Sequence, residues 1–187
     1  MKVVKFGGSS LASATQLEKV FNIVKEDETR KYVVVSAPGK RNPEDTKVTD
    51  ALIKYYKEYT NGKDTSQSQE WIINRYRSIT EELDLDEEII EEISRDIKSL
   101  ATLPKSDNTF LYDTFLAAGE NNNAKLIAAY FVKKGLDAKY IHPKNAGIFV
   151  TSEPCNARIL PSSYDKIEEL SNHNEILVIP GFFGITK

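Results

Sequence analysis

A chain of 187 residues with 40% apolar content is long enough to bury one sizeable core, so a single domain, with at most an appended lobe, is expected. Lys and Arg total 25 against 28 Asp and Glu, which excludes the global positive field that draws a protein onto nucleic acid and favours a small soluble partner. No apolar run approaches the roughly 20 residues that span a bilayer, and Met1-Lys2 passes directly into a strand-like Val3-Val4 without a signal-peptide core, so no membrane association and a cytoplasmic location are expected.

Val3 to Phe6 reads as a buried strand that stops at the pair Gly7-Gly8, a strand running into a tight turn. Ser13 to Gln16 has the spacing of a capping box, and Leu17, Val20, Phe21 and Val24 then recur at helical intervals, predicting a helix from Ala14 to Asp27. Lys31 to Ser36, centred on Tyr32-Val33-Val34-Val35, reads as a strand buried on both faces, as in a parallel sheet flanked by helices. Pro38-Gly39 and Asn42-Pro43 make residues 37–47 a surface loop at that strand's carboxyl end. A helix through Val48, Leu52, Tyr55 and Tyr59 follows, then a polar break. Two amphipathic stretches come next, one on Ile72, Tyr76, Ile79 and Leu83, the other on Ile89, Ile93, Ile97 and Leu100; together they predict a helical lobe over 65–101. The acidic run Glu81 to Glu88 flanks the apolar stripe and reads as a solvated face rather than a cation site.

Beyond Pro104, residues 109–118 and 120–134 read as helical segments hinged at Gly119, the second closed by Lys133-Lys134-Gly135. Strands are expected at 137–142, 147–150 and 176–179, and a last helix at 164–171. Alternating strands and helices give an α/β fold with a mainly parallel sheet. Cys155 is the single cysteine, so no internal disulfide can form; it reads as a small buried side chain, with a catalytic thiol as the alternative. His142 and His173 lie far apart in sequence and read as ordinary surface or loop residues, not metal ligands.

The first strand delivers Lys5, Gly7 and Gly8 to the carboxyl edge of the sheet, where open α/β folds bind ligands. Glycines let backbone N–H groups approach phosphate oxygens, the next helix offers its positive end and Lys5 adds a full charge. Taken alone, Lys-x-Gly-Gly is equally a phosphate cradle or a commonplace strand-to-helix turn.

The longer string Val3-Val4-Lys5-Phe6-Gly7-Gly8-Ser9-Ser10-Leu11 resembles the opening of aspartate kinases, a branch of the amino acid kinase superfamily. Val33 to Ala37, Val48 to Leu52, Ala118-Gly119-Glu120 and Ile179 to Gly184 are similar to further segments of that family, in the family's order and across essentially the entire chain. The resemblance implies the amino-terminal part of an amino acid kinase domain, a three-layer sandwich, and a phosphotransferase moving the γ-phosphoryl group of ATP, with Mg2+, onto the β-carboxylate of L-aspartate, in the biosynthesis of lysine, threonine and methionine. It assigns Lys5 to the transferring phosphate as the catalytic residue, and Gly7, Gly8 and Ser9 to ATP phosphate binding. Glu120 would receive the substrate ammonium, Ser36 and Thr49 would offer hydroxyls to its carboxylates, and Phe182 would close the pocket.

Each assignment has a plainer alternative: Glu120 as a helix amino-terminal acid after Gly119, Ser36 as a strand-end residue, Thr49 as helix-start chemistry, Phe182 as core. No metal ligand identifies itself. The family continues with an arginine-glycine-glycine-serine-aspartate segment that has no counterpart here, so a truncated chain or a natural half-enzyme with negligible turnover of its own is expected, forming a homodimer when full-length. Two other readings stay open: a kinase for glutamate, carbamate or a nucleoside monophosphate, and a non-catalytic interaction module retaining the fold.

Overall fold

A computed structural model describes residues 1–105 and 108–187. In chain order the elements are β1 (Lys2–Phe6), a 3-10 turn (Gly8–Leu11), α1 (Ala14–Lys25), β2 (Arg30–Val35), α2 (Val48–Thr60), α3 (Ser66–Glu82), α4 (Glu87–Ser99), α5 (Asn108–Lys133), β3 (Ala138–Tyr140), β4 (Phe149–Val150), α6 (Ser162–Glu168), β5 (Ile176–Pro180) and β6 (Ile185–Thr186). The main sheet has the order β1-β2-β5-β3 and every pairing in it is parallel. A second, two-stranded sheet joins β4 to β6, the latter unanticipated from the sequence.

Register decides where a site can form. Phe6 lies opposite Val35, and Val35 opposite Pro180. Three strands therefore end level, and the loops after β1, β2 and β5 open side by side at one carboxyl edge, the ligand edge of parallel α/β sheets.

Strand alternation divides the sheet into two faces. Val33, Val35, Ile176 and Val178 join Leu17, Phe21, Ile127 and Phe131 in the main core, whereas Leu177 and Ile179 join Ile141, Ala146 and Leu170 in a smaller one. On that second face β2 is covered less completely than a strand buried on both sides, because Tyr32 and Val34 are only half-buried there. At the edge strand the same face leaves Val3 68% exposed.

The predicted helices form where their apolar stripes find partners. Ser13 caps α1 by accepting the Gln16 amide proton. The acidic run between α3 and α4 is solvated as expected, apart from the half-buried Leu85 and the buried Leu83. Yet α3 and α4 do not stand apart as a body of their own: Ile72, Tyr76, Ile79, Ile93 and Ile97 belong to the same contiguous core as Leu17 and Phe131.

The expected hinge at Gly119 is overturned. α5 runs unbroken from Asn108 to Lys133, and Gly119 sits in its middle. Its role is close approach, since a Cβ there would lie 2.8 Å from Ala37 Cβ and 3.1 Å from Leu52 Cδ1. The helix does end at the predicted glycine: Gly135 takes φ +85°, its N–H donates to the Val132 carbonyl and that of Leu136 to the Phe131 carbonyl, both at 2.9 Å. Among the described residues no helix is long and apolar enough to cross a membrane.

Candidate functional site at the carboxyl edge of the sheet

The turn after β1 and the loop after β2 cross at two glycines. The Gly39 N–H donates to the Gly8 carbonyl at 2.8 Å. A Cβ on Gly39 would stand 2.5 Å from the Gly8 carbonyl carbon, and one on Gly8 would stand 2.9 Å from the Ala37 oxygen. Contacts that short are closed to any side chain, so both positions require glycine for backbone proximity. Gly7 differs: nothing lies within 4 Å of a Cβ built there, so its surroundings are open toward solvent. Ser9 is exposed beside it. At the third loop, the Gly181 N–H donates to the Val35 carbonyl at 2.8 Å, tying the exit of β5 to that of β2.

Glu120 lies across this edge from α5. Because α5 is continuous, Glu120 is at mid-helix, and its reading as a helix amino-terminal acid is excluded. It is 8% exposed, and its Oε2 has no hydrogen-bond partner among the described residues. Burial pushes its carboxyl group above the ordinary value, while the backbone N–H groups of Ala37 and of Glu120 itself pull it partly back. The result is a carboxylate anchored on the exit of β2 with one oxygen to spare.

The other predicted residues divide. Ser36 directly follows β2; its carbonyl accepts from Asn123 Nδ2 at 2.7 Å, so strand exit and α5 are pinned together. Thr49 stands half-buried in the first turn of α2, whose Val48 N–H donates to the Pro38 carbonyl at 3.1 Å. Lys5 is exposed and forms no ion pair among the described residues. By alternation it shares the sheet face of Val3, opposite the face on which α5 packs, so Lys5 and Glu120 flank the rim from two sides rather than touching. Phe182 is not core: it is 70% exposed at φ +75°. It lines a cleft of about 1140 Å³ together with Asn121, Asn122, Tyr140, His142 and Phe183.

One expectation outside the rim also changes. Cys155 is exposed, at φ +58°, with its N–H and thiol bonded to the Asp113 carboxylate at 3.0 and 3.2 Å. It is thus not a buried filler, and the adjacent carboxylate pushes its thiol up, away from thiolate reactivity. His142 lies in the loop after β3, as expected, half-buried against the Phe183 ring, and burial lowers its pKa. Among the described residues no group of three His, Cys, Asp or Glu is placed to hold a metal ion.

Sequence reasoning missed Gly39, Arg75, Asp45, Asn122 and Asn123. Pro38-Gly39 was legible only as a turn. Arg75 carried a signal in retrospect: it falls inside the apolar stripe of α3, three residues after Ile72, and is buried to 3% exposure. Three consecutive asparagines inside a helix are likewise unfavourable without partners; Asn122 and Asn123 are fully buried, and each keeps an unpartnered Oδ1.

The family model for the amino acid kinase family matches residues 1–187. Aspartokinase 3 of Bacillus subtilis (strain 168) is 51% identical over 187 residues, covering 100% of this chain and 41% of that protein. Aspartokinase 2, chloroplastic, of Arabidopsis thaliana is 27% identical over 195 residues, covering 97% of this chain and 35% of that protein. The crystal structure of the Clostridium acetobutylicum aspartate kinase superposes with a TM-score of 0.78 at 32% identity, over 98% of this chain and 39% of that one. An E. coli aspartokinase III structure in complex with aspartate and ADP has the same fold, with a TM-score of 0.76 at 19% identity over 99% of this chain and 41% of that one. The chain spans about two fifths of the length of these relatives.

Proposed function

This chain belongs to the amino acid kinase family, and on that premise we propose that it carries the acceptor side of a phosphotransferase that moves the γ-phosphoryl group of MgATP to the β-carboxylate of L-aspartate. The observation that carries this reading is the buried, half-satisfied carboxylate of Glu120 beside the glycine crossing. A buried carboxylate with a spare oxygen is stabilised by a cation, and an amino-acid ammonium supplies both charge and three donors.

Aspartate is already an anion at neutral pH, so no general base is required to make a nucleophile. The obstacle is repulsion between a carboxylate and a triphosphate, and phosphoryl transfer of this kind rests on alignment and neutralised charge. In this reading Lys5, exposed and without an ion pair among the described residues, offsets the charge of the transferring phosphate. Gly7 and Gly8 offer N–H groups and Ser9 its hydroxyl to phosphate oxygens, and the open space at Gly7 supports such an approach. Glu120 takes the substrate ammonium, Ser36 and Thr49 lend hydroxyls to its carboxylates, and Phe182 covers it. Mg2+ enters this reading as part of the MgATP substrate. A cytoplasmic, homodimeric intact protein is part of the same reading; sedimentation equilibrium checks the stoichiometry.

The test is a coupled ADP-release assay on the intact protein with MgATP and, in turn, L-aspartate, L-glutamate, carbamate and a nucleoside monophosphate. Aspartate should be the preferred acceptor. Glu120→Gln should lower kcat/KM for aspartate on the order of a hundredfold, as expected when one partner of a buried charge pair is lost. Undiminished efficiency in that variant, or preference for another acceptor, rejects the assignment.

A further inference from the structure

Arg75 has no part in the chemistry above, yet its side chain is among the most completely buried charges described, at 2% exposure. Its Nη1 donates to Asp45 Oδ2 at 2.8 Å, and its Nη2 donates to the carbonyls of Gly39 at 2.7 Å and Ala12 at 3.0 Å. Asp45 is itself 6% exposed at the side chain and is gripped again by Arg41, through the backbone N–H and Nε at 2.9 Å and Nη2 at 3.0 Å. A buried ion pair is no more stable than well-packed apolar residues of like volume. Stability alone is therefore a weak reason for a guanidinium here.

Geometry is a better one. A planar guanidinium holds its donors in a rigid fork, so that Nη1 reaches Asp45 while Nη2 reaches Gly39 and Ala12; a lysine ammonium offers its three donors from a single point on a flexible stem and does not keep that spacing. Those acceptors bracket the glycine crossing. Gly39 is fixed at both polar atoms, its N–H by the Gly8 carbonyl and its own carbonyl by Arg75. Ala12 lies immediately after the turn Gly8–Leu11, so Arg75 holds that turn at its far end too. The neighbouring Tyr76 donates its hydroxyl to the Gly119 carbonyl at 2.7 Å, one residue before Glu120. Adjacent residues of α3 thus reach both halves of the site.

We propose that Arg75 is a positioning residue for phosphoryl transfer: by clasping Gly39, Ala12 and Asp45 it holds the Gly7-Gly8-Ser9 backbone in its phosphate-receiving shape before nucleotide arrives. The inference rests on the kinase reading given above. Donors fixed in advance stabilise developing charge without reorganising during the reaction, so loosening them lowers kcat while leaving ground-state binding of the acceptor nearly intact.

The experiment compares the intact protein with its Arg75→Lys and Asp45→Asn variants, at temperatures where circular dichroism reports each as folded. Hydrogen exchange without ligand should be at least about tenfold faster at the Gly39 amide, because losing the charge-assisted bond to the Gly39 carbonyl loosens the segment whose N–H is held by Gly8, with the centre of α5 unchanged. In the kinetic assay kcat should fall roughly 10- to 100-fold, with KM for aspartate within about twofold of the parent. Parental exchange at Gly39, or acceleration spread evenly through α5, overturns the positioning role. Should Arg75→Lys fail to fold, Asp45→Asn decides by the same readouts. Absence of aspartate-dependent turnover in the unaltered protein overturns the kinase reading and the catalytic half of this inference, and Gly39 exchange then decides the brace by itself.

Discussion

At Glu120 the cost of burial is set against the gain that the proposed substrate ammonium would bring. Desolvation raises its pKa in the ligand-free fold, and the Ala37 amide only partly compensates. A folded pKa above the unfolded one means that its contribution to stability is fully present below the unfolded value and is lost as pH rises through the folded one. Thermal unfolding at pH 5 and pH 8 should therefore find Glu120→Gln more stable than the parent at pH 8, with a flatter pH dependence. A variant less stable than the parent at pH 8 would contradict the assigned sign. In the proposed role as receiver of the substrate ammonium, Glu120 should make acceptor affinity run the other way in the parent protein, weakening as pH falls and the carboxyl is protonated. The glycines make a second contrast. Gly39→Ala forces a Cβ to within 2.5 Å of the Gly8 backbone, and should cost about 2–3 kcal/mol in urea titration as an overpacking defect. Gly7→Ala, with nothing within 4 Å, should change stability by less than about 0.5 kcal/mol, while raising KM for ATP if a phosphate docks there.

Among the elements, α5 departs furthest from what its sequence predicts. Helix propensity alone marks Gly119 as a break, because glycine costs about 1 kcal/mol relative to alanine inside a helix. That cost is outweighed by the approach of Ala37 and Leu52 to the helix surface. Gly119→Ala should accordingly destabilise by about 1–2 kcal/mol despite its better propensity, and urea titration yielding a more stable variant would show that the neighbours yield instead. A mid-helix glycine required by packing and one marking a hinge look alike in sequence, since the deciding atoms lie some 67 and 82 residues away in the chain. Period was a better guide: the stripes of α1, α2, α3 and α4 all face the core as their spacing implied.

For the whole molecule, the decisive feature is one contiguous core shared by the sheet, α1, α5 and the α3–α4 pair. Elements that share a core unfold together. Hydrogen exchange should accordingly find amides of α3 and α4 protected to the same free energy as those of α1 and α5, and calorimetry a single transition for this region. Early opening of α3 and α4 would instead make them a separable lobe, and would weaken the case that Arg75 and Tyr76 brace the site from outside the sheet.

Local chemistry was readable along the chain: strands from β-branched runs, the cap at Ser13, the stop at Gly135, and the Lys5 to Leu11 string with its family resemblance. These depend on neighbours within a few residues, so order along the chain suffices to specify them. The continuity of α5, the exposure of Cys155 and Phe182, and the clasp joining Arg75 to Asp45 and Gly39 required the tertiary structure. Each is decided by atoms brought together across loops, where steric contact and desolvation, rather than local propensity, set the energy.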